Sequence, residues 1–517
     1  MQDRITSSYL HHLQSIYHHI DNRGIRASKS RLHEARIFVD QQISKNLSIA
    51  SIQWNCHVFI GADNAVKDKN NPRFSDQVNL NATQGDKALL KKLQNIGYEV
   101  PKVTKKNNEG DYESKYSTCE LALQKMLVAN QYQFPGGDPA IRAILQVREL
   151  GKIKSSYLGC RYYQDEKGDF YYLTNYNVAG TLTGRRSSRK HTFGFGNNAQ
   201  NFPKHGQLAK VFRKCLVARR GNIFLMVDQK SAEDWPVSAL AQNHFALDQL
   251  QKGINRHCVR GSRVFGIPLL EPILDNQDKW KKDHFHEYYL GKKIGHANNY
   301  GMRGNRMSES LAQEGHSISP KDCQQLLDKA NAIEPEIKQV FHRYIENEIN
   351  SSRILHTPFG RERQFLGLRP NDQNYKILNE AYAYIPQSVV GDNTGFAVRY
   401  LECNCPIYNG CGSGIVQEGH DSIVMDIKDD IDTIWYYITQ TISAFRRIIR
   451  FDNGIEVEIP IEAELGYDFD KTVQLHDLSR ESLERAYAKI RTIREIELEE
   501  ENRLKSEERL QQVVMAI

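Results

Sequence analysis

The chain predicts an α+β fold, predominantly helical, with one sheet interrupted by a long helical insertion. Three observations carry this expectation. Residues 224–227 (Phe-Leu-Met-Val) form an apolar run that ends at Asp228, the pattern of a short buried strand. Residues 414–427 are two apolar runs about a polar centre, Glu418 to Ser422, the pattern of a β-hairpin with Asp421 at or near its turn. Between them, residues 239–351 are mostly helical, interrupted at Pro268 and Pro272. Strands on either side of that block can then share one sheet.

The other elements follow in order. Residues 8–47 carry Leu32, Ile37, Val39 and Ile43 between charges and read as two helices, broken at Asn22-Arg23-Gly24. Residues 62–82 are polar and turn-rich, and residues 87–96 return to helix. Residues 102–117 are charged and poor in apolar side chains, which predicts a loop. Residues 119–130 and 138–157 predict helices. The second of these ends in Arg148, Lys152 and Lys154, one or two turns apart. Residues 161–176 alternate about Lys167-Gly168, a hairpin signal. Residues 181–189 are a basic loop with Gly184, and residues 208–216 a short basic helix. Pro236 falls in the first turn of the helix after Asp228, where proline is tolerated. Residues 354–366 predict a hairpin and residues 379–401 a helix. Residues 456–465 alternate as a final strand, and residues 478–517 predict a highly charged helix.

The bulk numbers bound the class. The chain has 517 residues, 40% hydrophobic and 26% charged, a globular composition long enough for roughly three or four domains or subdomains. A net charge of +6 favours a polyanionic partner weakly. No apolar run approaches the roughly 18 residues of a membrane span, and the first residues lack a basic-then-apolar signal. An intracellular protein with no membrane partner is expected. Nine scattered cysteines suit a reducing compartment. Cys403, Cys405 and Cys411 cluster near His420, but a C-x-C spacing favours a cysteine-bearing turn over a zinc site.

Asp228 and Asp421 are the chemical centre of this pattern. Two strand-borne aspartates held side by side are costly unless cations sit between them, and paired Mg²⁺ ions would also activate an oxygen nucleophile and its leaving group. Between them in sequence, Lys292, His296 and Tyr300 recur at four-residue intervals. One helix face thus carries a cation, an imidazole and a phenol, suited to a polyphosphate and to a base or sugar. His257 begins another helix just upstream.

The ordered set resembles the polymerase module of family A DNA polymerases, the DNA polymerase I family, in a bacteriophage-like variant. Thr181–Ser188 (TLTGRRSS) with QNFP is similar to the family's T-x-T-G-R-x-S-S…Q-N-I-P block. Residues 227–234 (VDQKSAED) resemble motif A, residues 291–302 (GKKIGHANNYGM) motif B, and residues 419–422 (GHDS) motif C. TPFGRER at 357–363, IPQS at 385–388 and RELGKIKSSY at 148–157 resemble three further blocks. The likeness runs from about residue 20 to 475. Single blocks are weakly specific; seven in the family's order are strongly so.

That resemblance implies a right-hand architecture with a palm sheet, helical fingers and a helical thumb. It implies an N-terminal helical region and thumb over 1–160, palm over 161–235 and 351–477, fingers over 236–350, and a charged helical tail over 478–517. It implies a DNA-directed DNA polymerase that extends a primer 3′-hydroxyl with dNTPs on primer-template DNA. Asp228 and Asp421 would hold two Mg²⁺ ions, with Mn²⁺ as a substitute. Lys292 and His257 would meet the triphosphate. Glu233 and Tyr300 would exclude a ribose 2′-hydroxyl, with His296 at the sugar-facing position. Arg185, Gln387 and His420 would touch the primer terminus and its minor groove, and Lys154 and Arg363 the DNA.

The sequence departs from the family at several points. The motif B arginine is Tyr288, so that Lys281, Lys282 or Arg303 would have to substitute. The motif C glutamate is Ser422. Motif A carries Lys230 and Trp235. With the thumb-like region almost at the start, no 3′–5′ proofreading domain is expected. Proofreading would come from a separate exonuclease or replisome protein, with the C-terminal helix as its docking point, and the chain is expected to be a monomer. Two alternatives stand beside this reading. One is a degenerate homologue that clamps primer-template DNA. The other is a single-chain RNA polymerase, against which Glu233 argues.

Overall fold

The structure is a computed structural model of the chain. It describes residues 4–60, 77–80, 85–106, 112–129, 138–203, 206–314, 316, 318–366, 375–405 and 414–516. Two compact units are present: Met1–Leu32 with Cys160–Gly301 and Ala330–Ile517, and His33–Gly159 with Met302–Lys329. Cys411, part of the cysteine cluster considered above, lies outside the described residues.

The first unit is built on a five-stranded antiparallel sheet. In chain order its strands are β1 (Asn222–Gln229), β2 (Gly414–Glu418), β3 (Ser422–Lys428), β4 (Ile461–Gly466) and β5 (Thr472–Gln474). Across the sheet they lie β2-β3-β1-β4-β5. Strand β1 is central, flanked by β3 and β4. Ile223, Phe224, Leu225 and Val227 are buried, Met226 is half-buried and Asp228 is exposed. Both faces of β1 are therefore largely covered as far as Val227, which is why its apolar run is continuous rather than alternating. Residues 230–413 intervene between β1 and β2, so the sheet joins strands from both sides of the insertion, as expected.

The helices of this unit include α1 (Ser7–Arg23), α2 (Asp234–Leu240), α3 (Arg256–Phe265), α4 (Ile273–Asp283), α5 (Phe285–Asn299), α6 (Tyr375–Asn404), α7 (Ile431–Phe445) and α8 (Arg480–Ala516). Leu225, Val227, Ile423 and Met425 of the sheet share one core with Val389, Val390 and Phe396 of α6, and with Ile434 and Ile438 of α7. Leu483, Ala486 and Ile490 of α8 join the same core. Each buried aliphatic side chain contributes about 1.5–3 kcal/mol.

Two expectations for this unit need correcting. Residues 456–465 are two strands, not one. Glu456–Val457 pairs with Ile449–Arg450 in a separate ribbon, and β4 starts only at Ile461. Pro460 causes the break, because a proline has no N–H to donate to a central ladder. Residues 431–445, rich in β-branched and aromatic side chains, carried no expected element. They form α7, started by Asp430, whose carboxylate accepts from the Thr433 amide at 2.9 Å.

The second unit gathers the rest of the helix Lys29–Trp54 with Gly85–Ile96, Glu120–Ala129 and Pro139–Ile153. Its core includes Trp54, Val58, Val78, Leu89, Leu93, Met126, Ile141 and Ile144. The helix Gly304–Gln313 packs against Glu120–Ala129. Residues 102–117, expected as a loop, contain a hairpin: Lys102–Lys106 pairs antiparallel with Tyr112–Tyr116. Lysines dominate its composition, yet Val103, Thr104, Tyr112 and Tyr116 are strand formers. Among the described residues no helix is long and apolar enough to cross a membrane.

Candidate active site

The two aspartates meet at one end of the sheet. In the β1–β3 register Asp228 lies opposite Ser422. The Gln229 amide donates to the Asp421 carbonyl at 3.0 Å. Asp228, near the end of β1, and Asp421, in the turn just before β3, therefore stand at the same end of the sheet, Asp228 exposed and Asp421 half-buried. The hairpin turn between β2 and β3 is fixed from several sides. The Gly419 amide donates to the Ser422 carbonyl at 2.7 Å, and the His420 amide to the Glu418 carboxylate at 3.1 Å. His420 has φ of 76°, a left-handed conformation that costs a non-glycine residue about 1–2 kcal/mol. The Thr394 hydroxyl of α6 donates to its carbonyl at 2.9 Å and holds it there.

A buried charge pair lies beneath this turn. Arg186, among the largest fully buried side chains, donates from Nε to the Glu418 carboxylate at 3.0 Å. Its guanidinium also donates to the Gly391 carbonyl, and Tyr17 donates its hydroxyl to Glu418. Burial alone would lower the Arg186 pKa, but the Glu418 carboxylate overrides it and raises the value, so the guanidinium stays charged. Next to Asp228, the Gln229 side chain donates to Thr394 Oγ1 at 2.8 Å and accepts from Asn393 at 2.8 Å. Helix α6 thus braces both aspartate-bearing strands through its buried Asn393 and Thr394. Such support is what a site needs to keep its geometry.

A second cluster forms around Glu233, at the start of α2. Arg185 and the Tyr300 hydroxyl both donate to its carboxylate, and the His296 ring lies 3.7 Å from it. Burial, with the Glu233 charge beside it, raises the Tyr300 pKa well above the usual phenol value, so Tyr300 remains a donor. Lys292 and His296 are exposed on α5, while Tyr300, just past its end, is buried. The face predicted from spacing is real, but it runs from solvent into the core.

His257 is pressed against that face by close helix packing. A Cβ on Gly291 would sit 2.6 Å from the His257 carbonyl and 2.8 Å from the Gly261 amide nitrogen. Only glycine at Gly291 lets α3 and α5 approach this closely. Burial pushes the His257 pKa down to about 4, with Arg260 and Lys292 adding to the effect against Asp234. The imidazole is neutral near pH 7. Behind it, Arg260 pairs with Glu334 at 2.7 Å and lies 3.6 Å from Asp234, and Arg256 also bonds Glu334. This buried network anchors the N-terminal half of α3.

The remaining candidates are dispersed. His420 lies 3.4 Å from the Gln200 side chain, and burial lowers its pKa. Gln387 is half-buried on α6 beside Ser388, whose hydroxyl donates to the Thr183 carbonyl at 2.6 Å. Arg363 bonds Glu380 at 2.7 Å and stacks on Phe365, 4.3 Å from the ring centroid. Lys154 belongs to the second unit, where it lies 2.6 Å from Asp40. Trp235 is buried in the core of the first unit and Lys230 is exposed.

One acid escaped the sequence reading. Glu462 of β4 lies opposite Asp228 in the β1–β4 register, so Ser422, Asp228 and Glu462 form one cross-strand row. All three line a cavity of about 370 Å³, with Gln200, Phe202 and Glu464. The signal was present: the alternation around Pro460 puts carboxylates at every second residue, on one face of the strand. Among the described residues no group of three or more His, Cys, Asp or Glu is placed to hold a metal. The donor set offered by Asp228 and Asp421 is all oxygen. It suits Mg²⁺, which commonly takes one or two carboxylates and fills its other positions with water and phosphate oxygens.

Comparisons with known proteins bear on this arrangement. Residues 65–470 match the model of "DNA polymerase family A". The chain is 24% identical over 360 residues to a thermostable DNA polymerase I of Thermus filiformis, covering 69% of this chain and 38% of that protein. It is 26% identical over 340 residues to a DNA polymerase I of Chloroflexus aurantiacus, covering 64% of this chain and 32% of that protein. The chain thus spans about a third of the length of these curated relatives. Its fold matches the POL domain of Pol1 from M. smegmatis, solved in complex with DNA primer-template and dNTP. The TM-score is 0.66 at 16% identity, covering 89% of this chain and 70% of that one. With a family model matched over most of its length and the aspartate pair in place, the chain belongs to DNA polymerase family A.

Proposed function

We propose that this protein is a template-directed DNA polymerase that extends a primer 3′-hydroxyl with dNTPs and releases pyrophosphate. The observation that supports the reading is the register that sets Asp228 beside the turn carrying Asp421, at one end of a braced sheet. In this reading the sheet of the first unit is palm, α3 to α5 belong to fingers, and the helices of the second unit include a thumb. Asp228 and Asp421 would hold two Mg²⁺ ions, whose chemistry when bound is activation of the primer hydroxyl and stabilisation of charge on the pyrophosphate leaving group.

The chain's own residues bind and orient. Lys292, exposed and cationic, meets the triphosphate, and neutral His257 can donate a hydrogen bond to it. Glu233 and Tyr300, bonded to each other, close the space a ribose 2′-hydroxyl would need. Their contact favours the DNA polymerase over a single-chain RNA polymerase. Arg185, Gln387 and His420 are assigned to the primer terminus and its minor groove, and Arg363 and Lys154 to DNA contacts. On α8, Ile496 and Leu498 are exposed and support an attachment point there for a separate exonuclease or replisome protein.

Primer extension tests this reading. The wild type is expected to extend a primed template with dNTPs in Mg²⁺. Asp228→Ala and Asp421→Ala are each expected to lose at least about a thousandfold in rate while retaining DNA affinity. Normal extension by both variants would overturn the assignment. DNA binding with no incorporation by the wild type in Mg²⁺ or Mn²⁺ would make the protein a DNA clamp instead.

A further inference from the structure

Three groups from three helices converge beside Lys292. Tyr288 lies one turn before Lys292 on α5, so both project from the same face. The Tyr288 ring meets the His257 imidazole edge-on, with centroids 6.1 Å apart. Lys281, in the last turn of α4, places its ammonium 4.8 Å from the centroid of that same ring. The tyrosine ring is therefore a shared platform: it touches the imidazole of α3 and carries the cation of α4, one turn from the lysine of α5. An aromatic face attracts an ammonium through its negative quadrupole, so the ring holds Lys281 in place without neutralising it. Lys282 is exposed and, as the next residue along the helix, points about 100° away.

We infer that Lys281 is a second triphosphate-binding cation, positioned by the Tyr288 ring, and that the two residues together do the work of one arginine on α5. The inference rests on the polymerase reading above. A tyrosine at position 288 supplies no cation itself, yet its ring recruits one from the neighbouring helix. The arrangement differs from a guanidinium in its chemistry. An ammonium on a flexible stem binds phosphate as a point charge, whereas a guanidinium forms a planar fork. Because the ammonium rests on a ring rather than in an ion pair with a carboxylate, a polyphosphate can bind it directly. Lys281 and Lys292 then approach the polyphosphate from two helices, with His257 between.

Pre-steady-state incorporation on a primed template, read as separate dNTP Kd and maximal rate, tests this. Lys281→Ala is expected to weaken dNTP binding about tenfold, with the DNA Kd unchanged. Tyr288→Phe, which keeps the ring, is expected to match the wild type. Tyr288→Leu should weaken dNTP binding like Lys281→Ala, and the double variant should lose no more than either single one. Tyr288→Arg in the Lys281→Ala background should restore dNTP affinity. Circular dichroism of each variant establishes that it is folded. An unchanged dNTP Kd in Lys281→Ala, additive losses in the double variant, or no rescue by Tyr288→Arg would each overturn the inference. If the wild type incorporates no nucleotide, the polymerase reading fails; if it does and Lys281→Ala is unchanged, only this inference fails.

Discussion

Tyr300 donates its hydroxyl to the carboxylate of Glu233, joining the end of α5 to the turn that follows β1. Arg185 holds the same carboxylate from the other side. The contact couples a helix of the insertion to the strand that carries Asp228. Glu233→Ala is expected to admit a 2′-hydroxyl. The preference for dNTP over the matching ribonucleotide should fall about 10- to 100-fold, the scale of one lost steric or hydrogen-bonding contact. Competitive incorporation of the two nucleotides measures it. An unchanged ratio would remove Glu233 from sugar discrimination.

Glu462 faces Asp228 across the strand pair, on the side opposite Ser422. Directly opposed side chains lie about 5 Å apart, where a unit charge contributes about 1 kcal/mol at the screening of bulk water. Glu462→Gln is therefore expected to weaken Mn²⁺ binding about three- to tenfold with DNA affinity kept. Titration followed by Mn²⁺ electron paramagnetic resonance gives the constant directly. Equal Mn²⁺ affinity in both proteins would make Glu462 irrelevant to the metals.

Arg186 and Glu418 form a buried pair under the hairpin turn. Arg186→Met leaves an uncompensated carboxylate in the core and should cost about 3–5 kcal/mol in urea unfolding. The double variant Arg186→Met/Glu418→Leu removes both charges and should recover much of the loss. A single variant within about 0.5 kcal/mol of wild type would contradict the burial of this pair.

His257 titrates near 4 in the folded chain, below its usual value of about 6.5. Between these two pH values the unfolded chain binds a proton that the folded chain does not. Stability from this group is therefore complete above about pH 6.5 and is lost as pH falls toward 4. His257→Gln should flatten the stability profile in that window, and the imidazole resonances of the wild type should move with a midpoint near pH 4. A midpoint at 6.5 would mean that the ring is solvated.

Much of the fold could be read from local pattern. The apolar run before Asp228, the paired runs about Asp421 and the two helices separated at Gly24 all formed where periodicity placed them, because side-chain period is set by local backbone geometry. Failures came where composition hid the pattern. The lysines of residues 102–117 masked a hairpin, and Pro460 split an alternating run into two strands with different partners. In the candidate site, Lys292, His296 and Tyr300 were visible as one helix face. Glu462 and the Arg186–Glu418 pair were not, since their partners lie far away in sequence and only register or helix packing brings them together; Lys281 was one of three candidate cations, and only its contact with the Tyr288 ring singles it out.

The sequence by itself determined most of the strands and helices that build the first unit, and it marked Asp228 and Asp421 as acids at strand ends. Alternation and helical spacing are consequences of local backbone geometry, and they survive without knowledge of the fold. Only the tertiary structure decided that β1 lies between β3 and β4, so that Asp228 has Ser422, next to Asp421, on one side and Glu462 on the other. It alone decided that Gly291 lets α3 and α5 close on His257. Those outcomes depend on pairing and packing across stretches of chain that exceed two hundred residues for β1 and β4, which burial of the shared core selects and no local pattern encodes.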